Sequence, residues 1–199
     1  MATAAENKLA KKKRLLDSAY KLFINKSFSS TAIDDVVRAA GVAKGTFYLY
    51  FKDKYDLFDQ IVADKSAGVI GKAIEEIEKR EDFPSLSLSD KALLITDHVT
   101  DFLMKNKEIC ALLNKNLSRC FKYITSDENK EYTAMLDKIT NAFISAGFSE
   151  DRAMASVYLI TETVGSVCCD IILGTVPFSF DTVYPGLRSI IKNLTEVTD

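Results

Sequence analysis

The stretch that decides the fold runs from residue 31 to residue 58 and reads TAIDDVVRAAGVAKGTFYLYFKDKYDLF. Its first apolar residues have helical spacing, and Thr31 followed three residues later by Asp34 has the spacing of a capping box, which predicts the start of a short helix. Gly41 suits the left-handed position that follows a helix. A further short helix is predicted to open near Lys44 and to continue as far as residue 50. Two short helices joined by a tight glycine turn indicate a helix-turn-helix.

The rest of the chain is also helical in its pattern. Before the helix-turn-helix, residues 8–26 carry an apolar stripe with lysines elsewhere, as an amphipathic helix does. After Lys54, roughly helical spacing continues to Arg80 and predicts a long helix. Residues 81–89 lack such a stripe, which predicts a linker or a loop. No strand is predicted, so the fold class is all-α, with further helices at 90–105, 107–122, 127–146, 149–174 and 182–196.

Composition favours a soluble globular chain. Of its 199 residues, 47% are hydrophobic and 27% are charged, and a chain of this length can bury a core. The N-terminus lacks the apolar segment of a signal peptide. The longest apolar run, residues 157–173, is interrupted by Glu162 and Asp170, which argues against a membrane span. We therefore expect a cytoplasmic protein without a membrane partner.

No pattern of catalytic or metal-binding residues occurs in the sequence. His98 is the only histidine, and there is no G-x-S-x-G motif, P-loop or dinucleotide-binding glycine pattern. The four cysteines show no C-x-x-C spacing and have no nearby histidine partner, so a zinc site has no support. The sequence predicts neither an enzyme nor a bound cofactor.

The formal net charge is −2, but the charged residues are distributed unevenly along the chain. Residues 1–52 carry ten Lys and Arg against four Asp and Glu, whereas residues 53–199 carry sixteen against twenty-four. A basic first part is typical of a nucleic-acid-binding end, and the same division also serves solubility. Charge alone leaves both interpretations open.

Residues 9–60 closely resemble the N-terminal DNA-binding domain of TetR/AcrR-type transcriptional regulators. Ser27 stands where that family usually has glycine. A left-handed conformation there would cost about 1 kcal/mol, unless Asn25 or Lys26 ends the helix instead. The agreement with the family is carried by Leu22, Phe23, Thr31, Ala40, Gly41, Val42, Gly45, Thr46, Tyr48, Tyr50, Phe51, Lys54 and Leu57.

The resemblance implies a three-helix DNA-binding domain over residues 1–54, whose last short helix enters the major groove. Small residues at the start of that helix permit close approach of its backbone to DNA. In this interpretation Lys44 is a base or phosphate donor, Leu49 an apolar base contact and Lys54 a phosphate contact. Thr31 caps the second helix, whose N-terminal amides face a phosphate, and capping alone is the alternative. The predicted DNA-binding residues are Thr31, Lys44, Gly45, Thr46, Tyr48, Leu49, Tyr50 and Lys54.

Packing competes with DNA contact at the aromatic positions of this segment. Phe47 and Phe51 are expected in the core that joins the short helix to its neighbours. Tyr48 and Tyr50 are expected on the DNA surface, with partial packing as the alternative for each.

Residues 55–199 are expected, by the same resemblance, to form a helical domain for dimerisation and ligand binding, reached through the long helix. The last two helices, about 149–174 and 182–196, are the predicted dimer interface, and an intramolecular core is the alternative. A buried Glu162 would select a cationic ligand, form a salt bridge across the dimer or face water. The candidate ligand-binding residues, for which plain core packing is the alternative, are Phe102, Phe121, Tyr123, Tyr158, Thr161 and Glu162.

The resemblance implies a sequence-specific transcriptional regulator. Its partners would be a double-stranded DNA operator, a second copy of the chain and an unidentified small-molecule effector. The expected function is that of a homodimeric repressor, which the effector releases from a palindromic operator. Two alternatives stay open: a regulator without an effector, or one that responds to oxidation of Cys168 with Cys169 or of Cys110 with Cys120.

Overall fold

All regular structure is helical within residues 4–123 and 129–197, the part of the chain that the computed structural model describes. Two 3-10 helices cover Phe83–Ser85 and Leu117–Tyr123. The predicted all-α fold is confirmed. The α helices are α1 (Ala4–Lys26), α2 (Ile33–Ala40), α3 (Lys44–Tyr48), α4 (Lys54–Glu78), α5 (Leu88–Lys105), α6 (Lys107–Leu113), α7 (Lys130–Ser145), α8 (Glu150–Leu173) and α9 (Phe180–Thr195).

Left-handed residues follow several of these helices. Gly41 has φ 63° after α2, Gly147 has φ 102° after α7, and Gly174 has φ 68° after α8, so the predicted glycine ends are confirmed. Ser27 has φ 75° after α1 and is therefore the left-handed residue at the end of that helix. A side chain in this conformation costs about 1 kcal/mol relative to glycine.

Some helix boundaries differ from the prediction, one because of a local cap and another because of a tertiary contact. The α5 helix begins at Leu88, since the Ser87 hydroxyl accepts a hydrogen bond of 3.1 Å from the Asp90 amide. The predicted helix at 107–122 is divided after α6, where the Asn114 side chain donates to Asp170 of α8 over 3.1 Å. The next residue, Lys115, has φ 59°. Of the helix predicted at 127–146, α7 forms 130–145, and residues 127 and 128 lie outside the described residues.

The chain divides into two compact units, Met1–Ile61 and Val62–Asp199. The division lies inside α4, because the first turns of α4 pack into the first unit. There the Phe58 ring centroid lies 5.7 Å from that of Phe23 on α1. The functional domains 1–54 and 55–199 stay a prediction.

The core of the first unit joins all four of its helices. Leu15 and Ala19 of α1, Val36 of α2, Phe47 of α3 and Leu57 of α4 are completely buried. Burying a large apolar side chain contributes about 1.5–3 kcal/mol. This shared core therefore fixes the short α2 and α3 helices, which are too short to be stable alone.

The core of the second unit joins α5, α8 and α9. Leu93, Val164, Cys168, Leu187 and Ile191 form one buried cluster. A polar group at its margin links α5 to α9, since Asp97 accepts hydrogen bonds from the Tyr184 hydroxyl and, over 3.1 Å, from the Arg188 guanidinium. These contacts orient α9 against α5.

The α8 helix is long and apolar enough, by length and composition, to cross a membrane. Only 33% of its most apolar 18-residue window is buried. One such helix is weak evidence for a membrane span, because core helices of soluble proteins meet the same criterion. In this chain α8 contributes Val164 and Cys168 to a core shared with two other helices.

Candidate nucleic-acid interface

The helix-turn-helix presents exposed side chains next to a layer of buried aromatic residues. Phe47 and Phe51 are buried, as expected, and they anchor α3 and the residues after it in the first unit. Between them, 54% of Tyr48 and 74% of Leu49 are exposed. Because Phe47 is turned into the core, Tyr48 on α3 and Leu49 directly after α3 are turned towards solvent. Thus two large side chains are available to a partner.

Gly45 is not required by the protein's own packing. A Cβ atom built on this glycine would meet nothing within 4 Å, and its φ is not in the left-handed region. Alanine is a better helix former than glycine, so the fold alone favours alanine here. The open space above Gly45 suits close approach of a partner's surface to the α3 backbone.

Lys44 forms an ion pair with Asp34 of α2, with 2.8 Å between Nζ and Oδ1. The hydrogen bond from this ammonium to Asp34 raises the pKa of Lys44 above its usual value. Both side chains are exposed, so solvent screens the pair. In the predicted DNA contact of Lys44, DNA would compete with Asp34 for this donor. Sequence reasoning missed the pair because ten residues and a turn separate the two positions.

Thr46 and Tyr50 are half-buried. The α3 helix ends at Tyr48, two residues before the predicted end. Tyr50 therefore lies in the following turn, where its amide donates to the Phe47 carbonyl over 3.0 Å. The side chain of Tyr50 is partly packed, as its alternative stated, with its ring centroid 6.3 Å from that of Phe51.

Thr31 does not cap α2, so that part of the prediction is wrong. The capping position is Ala32, whose amide donates to the Asp35 carboxylate over 3.3 Å. Thr31 is buried, and its hydroxyl donates to the Ser27 carbonyl over 2.8 Å. The hydroxyl is drawn to the end of α1 because the left-handed Ser27 leaves that carbonyl accessible. A phosphate contact at the α2 amides remains a prediction.

Lys54 holds the segment between α1 and α2. Its ammonium donates to the Phe28 carbonyl over 2.9 Å and to the Thr31 carbonyl over 3.0 Å. The same ammonium lies 4.4 Å from the centroid of the Phe28 ring. Two of its three N–H donors are therefore used inside the first unit. The predicted phosphate contact has only the third donor available.

The second unit contains an apolar cavity of about 110 Å³. Its wall comes from α4, α5, α6, α7, α8 and the 3-10 helix at Leu117–Tyr123. Among the described residues, the polar lining groups are three hydroxyls and one thiol, and none of the lining side chains is charged. The cavity is lined by Ser66, Val69, Ile70, Ala92, Ile95, Thr96, Val99, Leu103, Leu113, Leu117, Ile139, Phe143, Val157, Ile160, Thr161, Val164, Gly165 and Cys169.

Comparison with known proteins identifies the first unit. Residues 15–61 match the family model described as bacterial regulatory proteins, tetR family. The HTH-type transcriptional regulator AcrR of Shigella flexneri is 40% identical over 78 residues, which are 39% of this chain and 35% of that protein. The match to the family model covers the whole helix-turn-helix.

The chain carries the DNA-binding domain of the TetR family of transcriptional regulators.

Solved structures share the fold over nearly the whole regulator. A TetR transcriptional regulator from Rhodococcus sp. RHA1 superposes with a TM-score of 0.61 and 19% identity, covering 97% of this chain and 99% of that one. The transcriptional regulator FadR from Bacillus subtilis, in complex with stearoyl-CoA, gives a TM-score of 0.54 and 16% identity, covering 94% and 99%. At these identities the likeness shows the fold alone.

Of the predicted ligand-binding residues of the regulator, Thr161 lines the cavity. Phe102, Phe121, Tyr158 and Glu162 are not among its lining residues, and the side chain of Tyr123 lies outside the described part of the structure. Tyr158 is 40% exposed and packs edge-on against Phe121. Helical spacing places these residues on the central helices but does not tell which face is turned inward.

Glu162 of the regulator faces the 3-10 helix. Burial raises the pKa of its carboxyl group, and a hydrogen bond from the Ser118 backbone acts in the opposite direction. Its Oε1 atom is buried without a hydrogen-bond partner among the described residues. This placement does not favour a cationic ligand in the cavity, because Glu162 is not part of the wall.

The cysteine contacts differ from the two pairs considered from the sequence. Cys110 of α6 is hydrogen-bonded to Cys169 of α8, and this bond lowers the pKa of Cys110 and raises that of Cys169. Burial raises the pKa of Cys168, whose sulfur lies 3.5 Å from the Thr100 hydroxyl. All four cysteines are buried. In residues 4–123 and 129–197, no group of three or more metal-ligating side chains is placed to hold a metal ion.

Proposed function

We propose that the regulator is a homodimeric repressor that binds a palindromic DNA operator and is released from it by a small molecule. The observation that carries the proposal is the α3 surface. It combines exposed Tyr48 and Leu49, the open backbone at Gly45 and the buried Phe47 and Phe51 beneath them. A rigid, convex helix with a close-approach glycine fits the major groove of DNA.

In this proposal the side chains of the α3 surface make different kinds of contact with DNA. Tyr48, Thr46 and Tyr50 offer hydroxyls, and Leu49 offers an apolar contact to a thymine methyl group. Lys44 exchanges Asp34 for a phosphate or a base edge. Phosphate contacts position the protein, whereas base contacts specify the sequence.

The exposed apolar residues of α8 and α9 support dimerisation. Leu159 of α8 is 46% exposed and Ile190 of α9 is 44% exposed, beside the half-exposed Tyr158. A second copy of the chain can bury these exposed apolar side chains. A palindromic operator needs two reading heads about 34 Å apart, which one protomer cannot supply.

The cavity of the second unit supports control by an effector in the cytoplasm. A solved neighbour, FadR, is in complex with stearoyl-CoA, so the shared fold accommodates ligands. An effector lowers the affinity for DNA only if it binds the DNA-free conformation more tightly, and DNA then weakens effector binding by the same factor. The α4 helix supplies both Phe58 to the first core and Val69 to the cavity wall, so it links the two units covalently.

The decisive experiment is selection of DNA fragments by the purified full chain, followed by titration of the best fragment at two salt concentrations. We expect a palindromic site, occupied by two or four protomers, with an affinity that falls steeply with salt. Tyr48→Ala is expected to abolish preference for that site while the dimer persists. Weak binding without sequence preference would contradict the proposed repressor.

A further inference from the structure

We propose that the cavity of the second unit takes a small, uncharged and mainly apolar ligand. This inference rests on the proposed function, because it names the class of effector for that site. The wall is apolar apart from Ser66, Thr96, Thr161 and Cys169. An ionic group inside it would lose its hydration without gaining a charged partner, which strongly disfavours binding.

The hydroxyls of the wall are best suited to accept a hydrogen bond. Ser66 already donates to the Val62 carbonyl over 2.8 Å, and Thr96 already donates to the Ala92 carbonyl over 2.9 Å. Each of these hydroxyl oxygens keeps a lone pair that can accept a hydrogen bond. A ligand with one hydroxyl or amide N–H therefore finds an acceptor there, whereas a carboxylate offers no proton to these groups.

The surroundings of the cavity also disfavour an anionic ligand. Glu162 receives a hydrogen bond from the Ser118 backbone, and the preceding residue, Leu117, is part of the wall. No Lys or Arg lines the cavity within the described residues. A carboxylate or a phosphate of a ligand would thus find no cation in the wall.

The size of the cavity indicates a molecule of about six carbon atoms. An apolar cavity of about 150 Å³ in another protein holds benzene, and the cavity here measures about 110 Å³. A matched probe series is 1-hexanol, hexanoate and hexylammonium, because the three molecules share one alkyl chain and differ in the charge of the polar group.

Substitutions at Gly165 and Val99 are two ways to reduce the volume of the cavity. A Cβ atom on Gly165 would collide with Cδ1 of Leu117, so Gly165→Ala must displace a side chain that borders the cavity. Val99→Phe adds a ring to the wall from α5. Gly68→Ala is the matched control, because Gly68 is exposed on α4 and a Cβ there meets nothing within 4 Å.

The test is the shift in thermal unfolding temperature of the full chain, and the Kd from calorimetry, for each of the three probes. We expect 1-hexanol to raise the unfolding temperature and to bind at least about 100-fold more tightly than hexanoate or hexylammonium. Gly68→Ala should keep the hexanol shift. Gly165→Ala and Val99→Phe should each lose it while their helical circular dichroism is unchanged.

Three results would overturn the inference: stronger or equal binding of hexanoate or hexylammonium, no shift with any probe, or a hexanol shift retained in both closing variants that fold. DNA binding is measured separately. If the chain selects no palindromic site, the proposed repressor is contradicted but the proposed ligand class is not. If hexanol binds and the affinity for the operator is unchanged, only the effector role is contradicted.

Discussion

At the scale of single residues, Gly45→Ala is expected to separate stability from DNA binding. Gly45→Ala places a methyl group in open space, so the free energy of unfolding should stay the same or rise by up to about 1 kcal/mol. Affinity for the selected operator should fall at least about tenfold, equivalent to about 1.4 kcal/mol. Urea unfolding and a DNA titration measure the two quantities.

Gly68→Ala provides the control for Gly45→Ala, since it makes the same change at an exposed helical glycine outside the helix-turn-helix. It should leave operator affinity unchanged. If Gly45→Ala binds the operator as tightly as the natural chain, close backbone approach at this residue is not part of recognition.

Lys54 is expected to act mainly through stability. Lys54→Met removes two hydrogen bonds to backbone carbonyls, and the free energy of unfolding should fall by about 1–3 kcal/mol. The dependence of DNA affinity on salt should keep its slope. Denaturation by urea and titrations at several salt concentrations measure both effects.

Lys52→Met is the comparison for Lys54→Met, because Lys52 is an exposed lysine two positions earlier. Its stability should match that of the natural chain. A salt slope that falls by about one in Lys54→Met, without loss of stability, would instead assign this lysine to a phosphate.

Residue types alone could not have predicted these roles. The family motif correctly places Lys54 and Thr31 in the first unit, but their hydrogen-bond partners depend on how the left-handed Ser27 ends α1. The partner of Lys44 is similarly decided by the approach of α2 to α3. Motif spacing identifies the important positions, whereas only the fold assigns the atoms that each side chain contacts.

At the scale of elements, the contact between α5 and α9 should be sensitive to high pH. Burial, together with the hydrogen bond to Asp97, raises the pKa of Tyr184. In the unfolded chain this phenol titrates near pH 10. The folded protein therefore holds its proton more tightly, and the stability that Tyr184 contributes is present below about pH 10 and is lost as the pH rises.

We expect Tyr184→Phe to flatten this loss of stability above about pH 10, measured as the free energy of unfolding against pH. Tyr55→Phe, at an exposed tyrosine of α4, should leave the slope as in the natural chain. Equal slopes in all three proteins would mean that the Tyr184 phenol does not stabilise the junction of α5 with α9.

In this chain, local sequence patterns determine where helices form, and contacts between distant residues determine where they are interrupted. The stripes and glycine ends predicted α1, α4 and α8 well, because amphipathic spacing and left-handed glycines are local properties. The break after α6 was missed because it depends on Asn114 reaching Asp170, a residue 56 positions away. The cavity was missed for a related reason, since six separate elements each supply part of its wall.

At the scale of the whole molecule, dimerisation through α8 and α9 can be tested with one charge. Leu159→Lys places an ammonium on the exposed apolar surface of α8, where it would be buried without a partner in the proposed dimer. Analytical ultracentrifugation should show a monomer, and affinity for the complete palindrome should fall steeply.

Ile144→Lys is the matched change at an exposed apolar residue of α7, outside the proposed interface. The protein should remain dimeric. A Leu159→Lys variant that sediments as a dimer would place the association surface elsewhere on the chain.

The ion pair between Asp34 and Lys44 has a consequence for how the regulator finds its target. On arbitrary DNA, the lysine gains little by leaving its carboxylate, because the phosphates that attract the ammonium also repel the acid left behind. Only a DNA site whose contacts with Lys44 are stronger than the ion pair with Asp34 will break the pair. In the proposed search for the operator, this self-neutralisation lowers the affinity for non-specific DNA more than the affinity for the operator, so we expect a shorter dwell time on incorrect sequences.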